Sequence, residues 1–270
     1  NRLVRIEGEV LAPGIYQAQP GETLQQLVAR VGGLTAQAYL FGAEFTRETV
    51  RQRQQEILDQ LLRRLEAQMQ SASANLSANL AGERAAQAAT LQQQQQAQMK
   101  SQIDRLKNLR SKGRVALELD PAQTTQMGAA SATQNLQNIP SLPLEDGDAF
   151  LVPSRPAFVA AAGSVNNDNV FVYKPGKTVA DILKSAGITE DADVSESFVL
   201  RADGSVLSRR GAGFFSSFDS TPLMPGDTVV VPPKVDRENN YNFVVRSLKD
   251  WTQILGNLGI GAAAINSLKN

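Results

Sequence analysis

The sequence predicts an α+β chain: two tandem copies of a small mixed sheet crossed by one helix, a long helical hairpin inserted in the first copy, and a C-terminal amphipathic helix. Three observations predict it. A set of turn motifs recurs at one shared offset within the 270 residues. The first copy carries a long run of helical periodicity that the second lacks. The segment 241–270 carries an apolar stripe at helical spacing.

The repeat is legible in its turns. Gly8-Glu9-Val10 leads to an extended segment ending at Tyr16, then to Pro20-Gly21-Glu22-Thr23-Leu24. Gly163-Ser164-Val165 leads to Val170-Phe171-Val172-Tyr173, then to Pro175-Gly176-Lys177-Thr178-Val179. Gly8 to Gly163 and Pro20 to Pro175 share one offset of 155 residues. A short apolar-periodic helix follows each turn: Leu24, Leu27, Val28 and Val31, then Val179, Ile182, Leu183 and Ala186. Gly32-Gly33 and Gly187 stop these helices, as glycine suits a left-handed C-cap.

The copies match again at their ends. Gly147-Asp148 runs into Phe150-Leu151-Val152-Pro153, and Gly226-Asp227 into Val229-Val230-Val231-Pro232. A Gly-Asp turn before an apolar, β-branched run reads as turn then strand, and the proline ends the ladder. In the second copy Phe198-Val199-Leu200, the turn Asp203-Gly204 and Val206-Leu207 predict a further hairpin.

The insertion spans 43–112. Val50, Ile57, Leu58, Leu61, Leu62, Leu65 and Met69 recur at helical spacing, which predicts a first helix over Thr46–Met69. Asn75 to Asn79 is a plausible tip, and Gly82 to Ser111 a second, Ala- and Gln-rich helix with Met99, Ile103, Leu106 and Leu109 on one face. Each arm reaches on the order of 40 Å. Gly113 then releases the chain into a strand over Arg114–Leu119. The stretch 43–114 holds 12 Lys/Arg against 7 Asp/Glu, and the whole chain is neutral. A solvated helical face accounts for that bias, and overall neutrality argues against a dedicated nucleic-acid binder.

In the last segment Val244, Leu248, Trp251, Leu255, Leu258, Ala262 and Ile265 form the stripe. Arg246, Lys249, Asp250, Gln253 and Asn257 lie off it. About 42 Å of helix reaches across a bilayer core, yet one helix with a polar face does not span alone. A ring of such helices does, with apolar stripes to lipid and polar faces to a water-filled lumen. A helix folded back onto its own domain is the competing reading.

The order Gly-x-Val, Pro-Gly-x-Tyr (Pro13, Gly14, Tyr16), Pro-Gly-x-Thr-Leu, Gly-Gly-Leu-Thr and Gly-Asp-x-x-x-Val-Pro resembles the soluble-ligand-binding β-grasp (SLBB) domain of outer-membrane polysaccharide export proteins, the Wza-like capsule translocon family. The resemblance covers 1–42, 113–155 and 157–233. The second copy departs from it: no Pro-Gly precedes Phe171, and Gly187-Ile188 replaces Gly-Gly-Leu. The resemblance implies β-grasp domains over 1–155, with the hairpin at 43–112, and over 156–236. It implies a pore helix at 241–270 and a home in the periplasm and outer membrane of a Gram-negative bacterium. It implies as partners identical subunits in a ring, a polysaccharide and an inner-membrane export component. A further domain before the first copy is usual in the family, so a chain starting at Asn1 is expected to be processed or truncated.

Enzyme chemistry is not expected. The chain has no Cys and no His, which removes thiol nucleophiles, the commonest zinc ligands and every triad built on histidine. Glu190, Asp191 and Asp193 read as a polar loop, and Gly211-Ala212-Gly213 lacks the spacing of a dinucleotide fingerprint. No cofactor is expected. Two functions stay open: a subunit of an oligomeric export conduit, and a soluble periplasmic saccharide-binding accessory protein with a docked tail.

Overall fold

The computed structural model describes residues 2–77, 93, 97, 100, 103–104, 107–211 and 217–234. They form mixed helices and two five-stranded sheets, the α+β class expected. The first sheet takes β1 (Leu3–Gly8), β2 (Gly14–Gln17), β3 (Glu44–Thr46), β4 (Arg114–Val115) and β5 (Ala149–Val152) in the order β2-β1-β5-β3-β4. The second takes β6 (Phe158–Gly163), β7 (Val170–Val172), β8 (Phe198–Leu200), β9 (Val206–Ser208) and β10 (Thr228–Val231) in the order β7-β6-β10-β8-β9. Strand for strand the two are the same. The first and last strands of each copy pair in parallel, and every other neighbour is antiparallel.

One helix crosses each sheet: α1 (Leu24–Arg30) and, in the second copy, Val179–Ala186. Both start with a capping box, Thr23 with Gln26 and Thr178 with Asp181, which satisfies two helix N–H groups reciprocally. The apolar side of each helix closes a core. Leu24, Leu27 and Val28 pack with Val4, Ile6, Phe45, Phe150 and Val152. Val179, Ile182 and Leu183 pack with Val159, Val199, Val229 and Val231. Gly187 ends the second helix at φ 68°, ψ 143°, outside the left-handed helical region that the glycine stop predicts. There its N–H still reaches Leu183 O at 2.9 Å.

The parallel contact fixes a glycine in each copy. A Cβ on Gly8 would sit 2.1 Å from Val152 O, and one on Gly163 would sit 2.1 Å from Val231 O. Both glycines have positive φ, 81° and 97°. The next residues, Glu9 and Ser164, donate their N–H groups to those same two oxygens at 2.7 Å.

The chain divides into two compact units, one up to Arg51 and from Lys112 onward, the other Gln52–Ser111. The second unit is the inserted hairpin. Its first arm is the body of α2 (Glu48–Ser77), about 45 Å long at 1.5 Å per residue. In the other arm residues 93, 97, 100, 103, 104 and 107 are helical. Lys107 bridges Glu66, and Ser111 meets Gln54 and Gln55, so the arms run antiparallel. The expected tip at 75–79 lies largely outside the described residues, as does much of the second arm.

The strand expected over Arg114–Leu119 pairs only at Arg114 and Val115. Beyond them the backbone takes a partner outside the sheet: Leu117 and Leu119 donate to Asp203. The segment then forms α3 (Pro121–Thr124) and α4 (Ala129–Asn138), and Val179–Ala186 is α5.

Gly8→Ala and Gly163→Ala are expected to cost at least about 2 kcal/mol each, because a strained φ and a backbone collision add. Gly21→Ala, at φ 78° with nothing within 4 Å, is expected to cost about 1 kcal/mol. Urea unfolding of the three variants checks the ranking.

Candidate functional site

Each Gly-Asp turn holds a carboxylate that water barely reaches. Asp148 is 1% exposed and Asp227 is fully buried. An arginine at the end of the third strand of each copy meets it. Arg47 places Nε and a terminal nitrogen on Asp148, both at 2.9 Å, and Arg201 reaches Asp227 at 2.7 Å. The same arginines donate to Pro143 O and Pro222 O, the prolines that open the two turns. Backbone N–H groups of Glu145 and Met224 complete the pattern at 2.8 Å. One device thus locks the last turn of each copy to its third strand.

Burial pushes the Asp227 carboxyl up to about 6, against the pull of Arg201 and the N–H groups of Met224 and Ala202. Asp219 moves the other way, lowered chiefly by its hydrogen bonds from Arg209.

The hairpin turn of the second copy docks onto the first copy. Asp203, 1% exposed, spends one oxygen on Ser205 and gives the other to Leu119 N at 3.0 Å. Arg114 donates to Ala202 O at 2.5 Å and lies close to Glu44. Burial pulls the Arg114 guanidinium below its usual range. Tyr39, fully buried, donates its hydroxyl to Pro225 O at 2.9 Å. Ala202 and Met224 pack against the first core. Neither Asp203 nor the two arginines stood out in the sequence, because Asp-Gly reads as an ordinary hairpin turn.

The outer faces of the two sheets differ. In the first, Leu3, Ile15 and Leu151 are exposed beside the Arg5–Glu7 pair. In the second, Ala160, Ala162, Phe198 and Val230 are buried, though they face away from α5. Phe158 and Val170 nevertheless stay exposed, at the positions equivalent to Leu3 and Ile15. An apolar fringe therefore recurs along the same edge of both copies.

The turn residues lie as follows. Gly8 and Gly163 close the first strand of each copy. Pro20-Gly21 and Pro175-Gly176 form the turns into the helices, and Gly32, Gly33 and Gly187 the exits. Gly147-Asp148 and Gly226-Asp227 precede the last strands. The stripe from Val244 to Ile265 and the polar set from Arg246 to Asn257 lie outside the described residues. Among the described residues no helix is long and apolar enough to cross a membrane, and no group of three acidic side chains is placed to hold a metal ion.

Arg201→Ala removes the cation beside a buried carboxylate, so about 3–5 kcal/mol of stability should be lost at pH 7. The loss should shrink at pH 5. With its carboxyl raised to about 6, Asp227 holds a proton more readily in the native state than in the unfolded chain. That stabilisation is complete below about pH 4, the unfolded value, and fades as pH rises through the folded one. Unfolding of the wild type, Arg201→Ala and Asp227→Asn at both pH values tests the sign, since Asp227→Asn should lack this pH dependence.

Comparison with known proteins agrees with this architecture. The SLBB domain family model matches residues 3–48 and 158–209, one stretch in each copy. Two polysialic acid transport proteins of Escherichia coli, both KpsD, are 30% identical to the chain over 135 residues. The match takes in 50% of this chain and 22% of each relative, so it spans about a fifth of the relatives' length. The resemblance carried by the repeated turns, to a polysaccharide export protein with SLBB domains, is shown by these matches.

Proposed function

From the premise that the chain carries two SLBB domains, we propose that it is a subunit of an oligomeric outer-membrane conduit that exports a capsular or extracellular polysaccharide from the periplasm. The observation that carries this reading is the match of both copies to the SLBB domain within a chain similar to polysialic acid transport proteins. In this reading 1–155 and 156–236 are the two periplasmic domains. Their fringes, Leu3 with Ile15 and Phe158 with Val170, meet neighbouring subunits. Exposed apolar side chains kept at equivalent positions of two diverged copies support such packing. The hairpin over 43–112 meets a neighbour or an inner-membrane export component. The helix at 241–270 lines the membrane passage, with Arg246, Lys249, Asp250, Gln253 and Asn257 toward the lumen. The polymer passes by steric and electrostatic fit, without chemistry on it.

One observation favours a second reading, a soluble periplasmic accessory protein with its tail docked. The second sheet is withdrawn from water on both faces. The apolar stripe of the tail would suit a seat against the outer one.

Light scattering on the detergent-extracted chain, with and without 241–270, separates the two. The conduit predicts a large assembly that needs both detergent and tail, and that shrinks on Ile15→Asp with Val170→Asp. A detergent-independent monomer indifferent to the deletion would establish the accessory reading instead.

A further inference from the structure

The two copies differ at one corresponding place beside the crossing helix. In the first copy the outer side of α1 is covered by the chain itself. Gln25 donates to Leu136 O and Gln137 O of α4, both at 3.1 Å, and Gly128 N binds Ala36 O. The position equivalent to Gln25 is Ala180, which is exposed. Leu34 and Ile188 are equivalent too, since each makes an isolated bridge, to Val10 and to Val165. Leu34 is 6% exposed and Ile188 40%. What the first copy fills, the second leaves as a cleft of about 450 Å³, within the range of small-ligand sites of ~300–1,000 Å³.

The lining of that cleft has a definite chemistry. Leu183, Ile188 and Val194 give an apolar floor. Arg209 and Asp219 stand at the rim as a bidentate pair, at 2.9 and 2.6 Å. The guanidinium is seated 4.8 Å over the Phe218 ring, which fixes the pair in place. Asp219 is half exposed, so its carboxylate keeps lone pairs for a ligand. Lys184 is exposed and makes no ion pair among the described residues. The acid one turn before it, Asp181, is spent on capping Thr178.

We propose that this cleft is a site for an acidic saccharide unit, with Lys184 taking the sugar carboxylate. The inference rests on the export reading and adds to it a place and a ligand class. A pyranose offers an apolar C–H face, which suits Leu183, Ile188 and Val194. Its neighbouring hydroxyls each donate and accept, and the Arg209–Asp219 pair presents a donor beside an acceptor. A neutral sugar would leave Lys184 unused, so the charge favours an acidic one. The first copy carries no such site, because its own α4 occupies the place.

The test is fluorescence polarisation of the full chain with a labelled sialic acid tetramer, and with maltotetraose as neutral probe. The sialic acid tetramer should bind the wild type more tightly than maltotetraose. Lys184→Glu and Ile188→Asp, both at exposed positions, should each weaken it about tenfold or more. Lys174→Glu, the same charge change outside the cleft, should stay within about twofold. If both cleft variants bind like the wild type, the site is overturned, and likewise if maltotetraose binds equally well or neither probe binds. Polymer at the surface of cells that depend on this chain is scored separately. Wild-type protein that restores no export overturns the parent reading, whatever the binding result.

Discussion

Each copy of the fold depends on one buried ion pair. The last strand must lie parallel to the first, and parallel neighbours cannot be joined by a tight turn. The chain therefore returns through an irregular segment, and that return needs an anchor. Asp148 and Asp227 supply it from inside the turn, each bound by an arginine from the third strand. Those arginines also take the carbonyl of the proline that opens the turn. Proline, turn, acid and third strand are thus tied at one point. Breaking such a pair leaves a charge in the interior, which costs more than the pair contributes when whole.

The same anchor explains where the long insertion can sit. In the second copy the third and fourth strands are joined by a tight turn at Asp203-Gly204. In the first copy α2 begins two residues after Thr46, and the chain returns at Arg114. The helical hairpin therefore stands in place of a hairpin turn. Arg47 N binds Gly113 O at 2.9 Å, and a Cβ on Gly113 would lie 2.4 Å from Arg47 O, so the base is closed by glycine. Loop-closure entropy grows only slowly with length, so a closed base tolerates a long arm.

Much of this was legible in the sequence. The repeat, both crossing helices, the closing strands and the 198–208 hairpin follow from periodicity and turn chemistry. The ion pairs were not, because Arg47 and Asp148 stand 101 residues apart with the insertion between them. Local patterns carry no information about such a partner. The strand expected over 114–119 shortened for a related reason. Its backbone donors found Asp203, a residue of the other copy, and no propensity for extended structure reveals which acceptor a strand will meet. The cleft of the second copy was equally hidden. It exists because one copy lacks what the other has, a difference seen only once Leu34 and Ile188 are aligned in space.

The docking of the second copy's hairpin turn onto Tyr39, Arg114 and Leu119 makes the joint between the copies polar. The second copy offers a compact turn as a plug, and the first offers the socket. The first copy has no plug of its own, because its corresponding turn has become the helical hairpin. A repeat preceding it could not be joined in the same way. The series is capped in one direction by its own elaboration, much as a chain of links ends where one link has been drawn out into a handle.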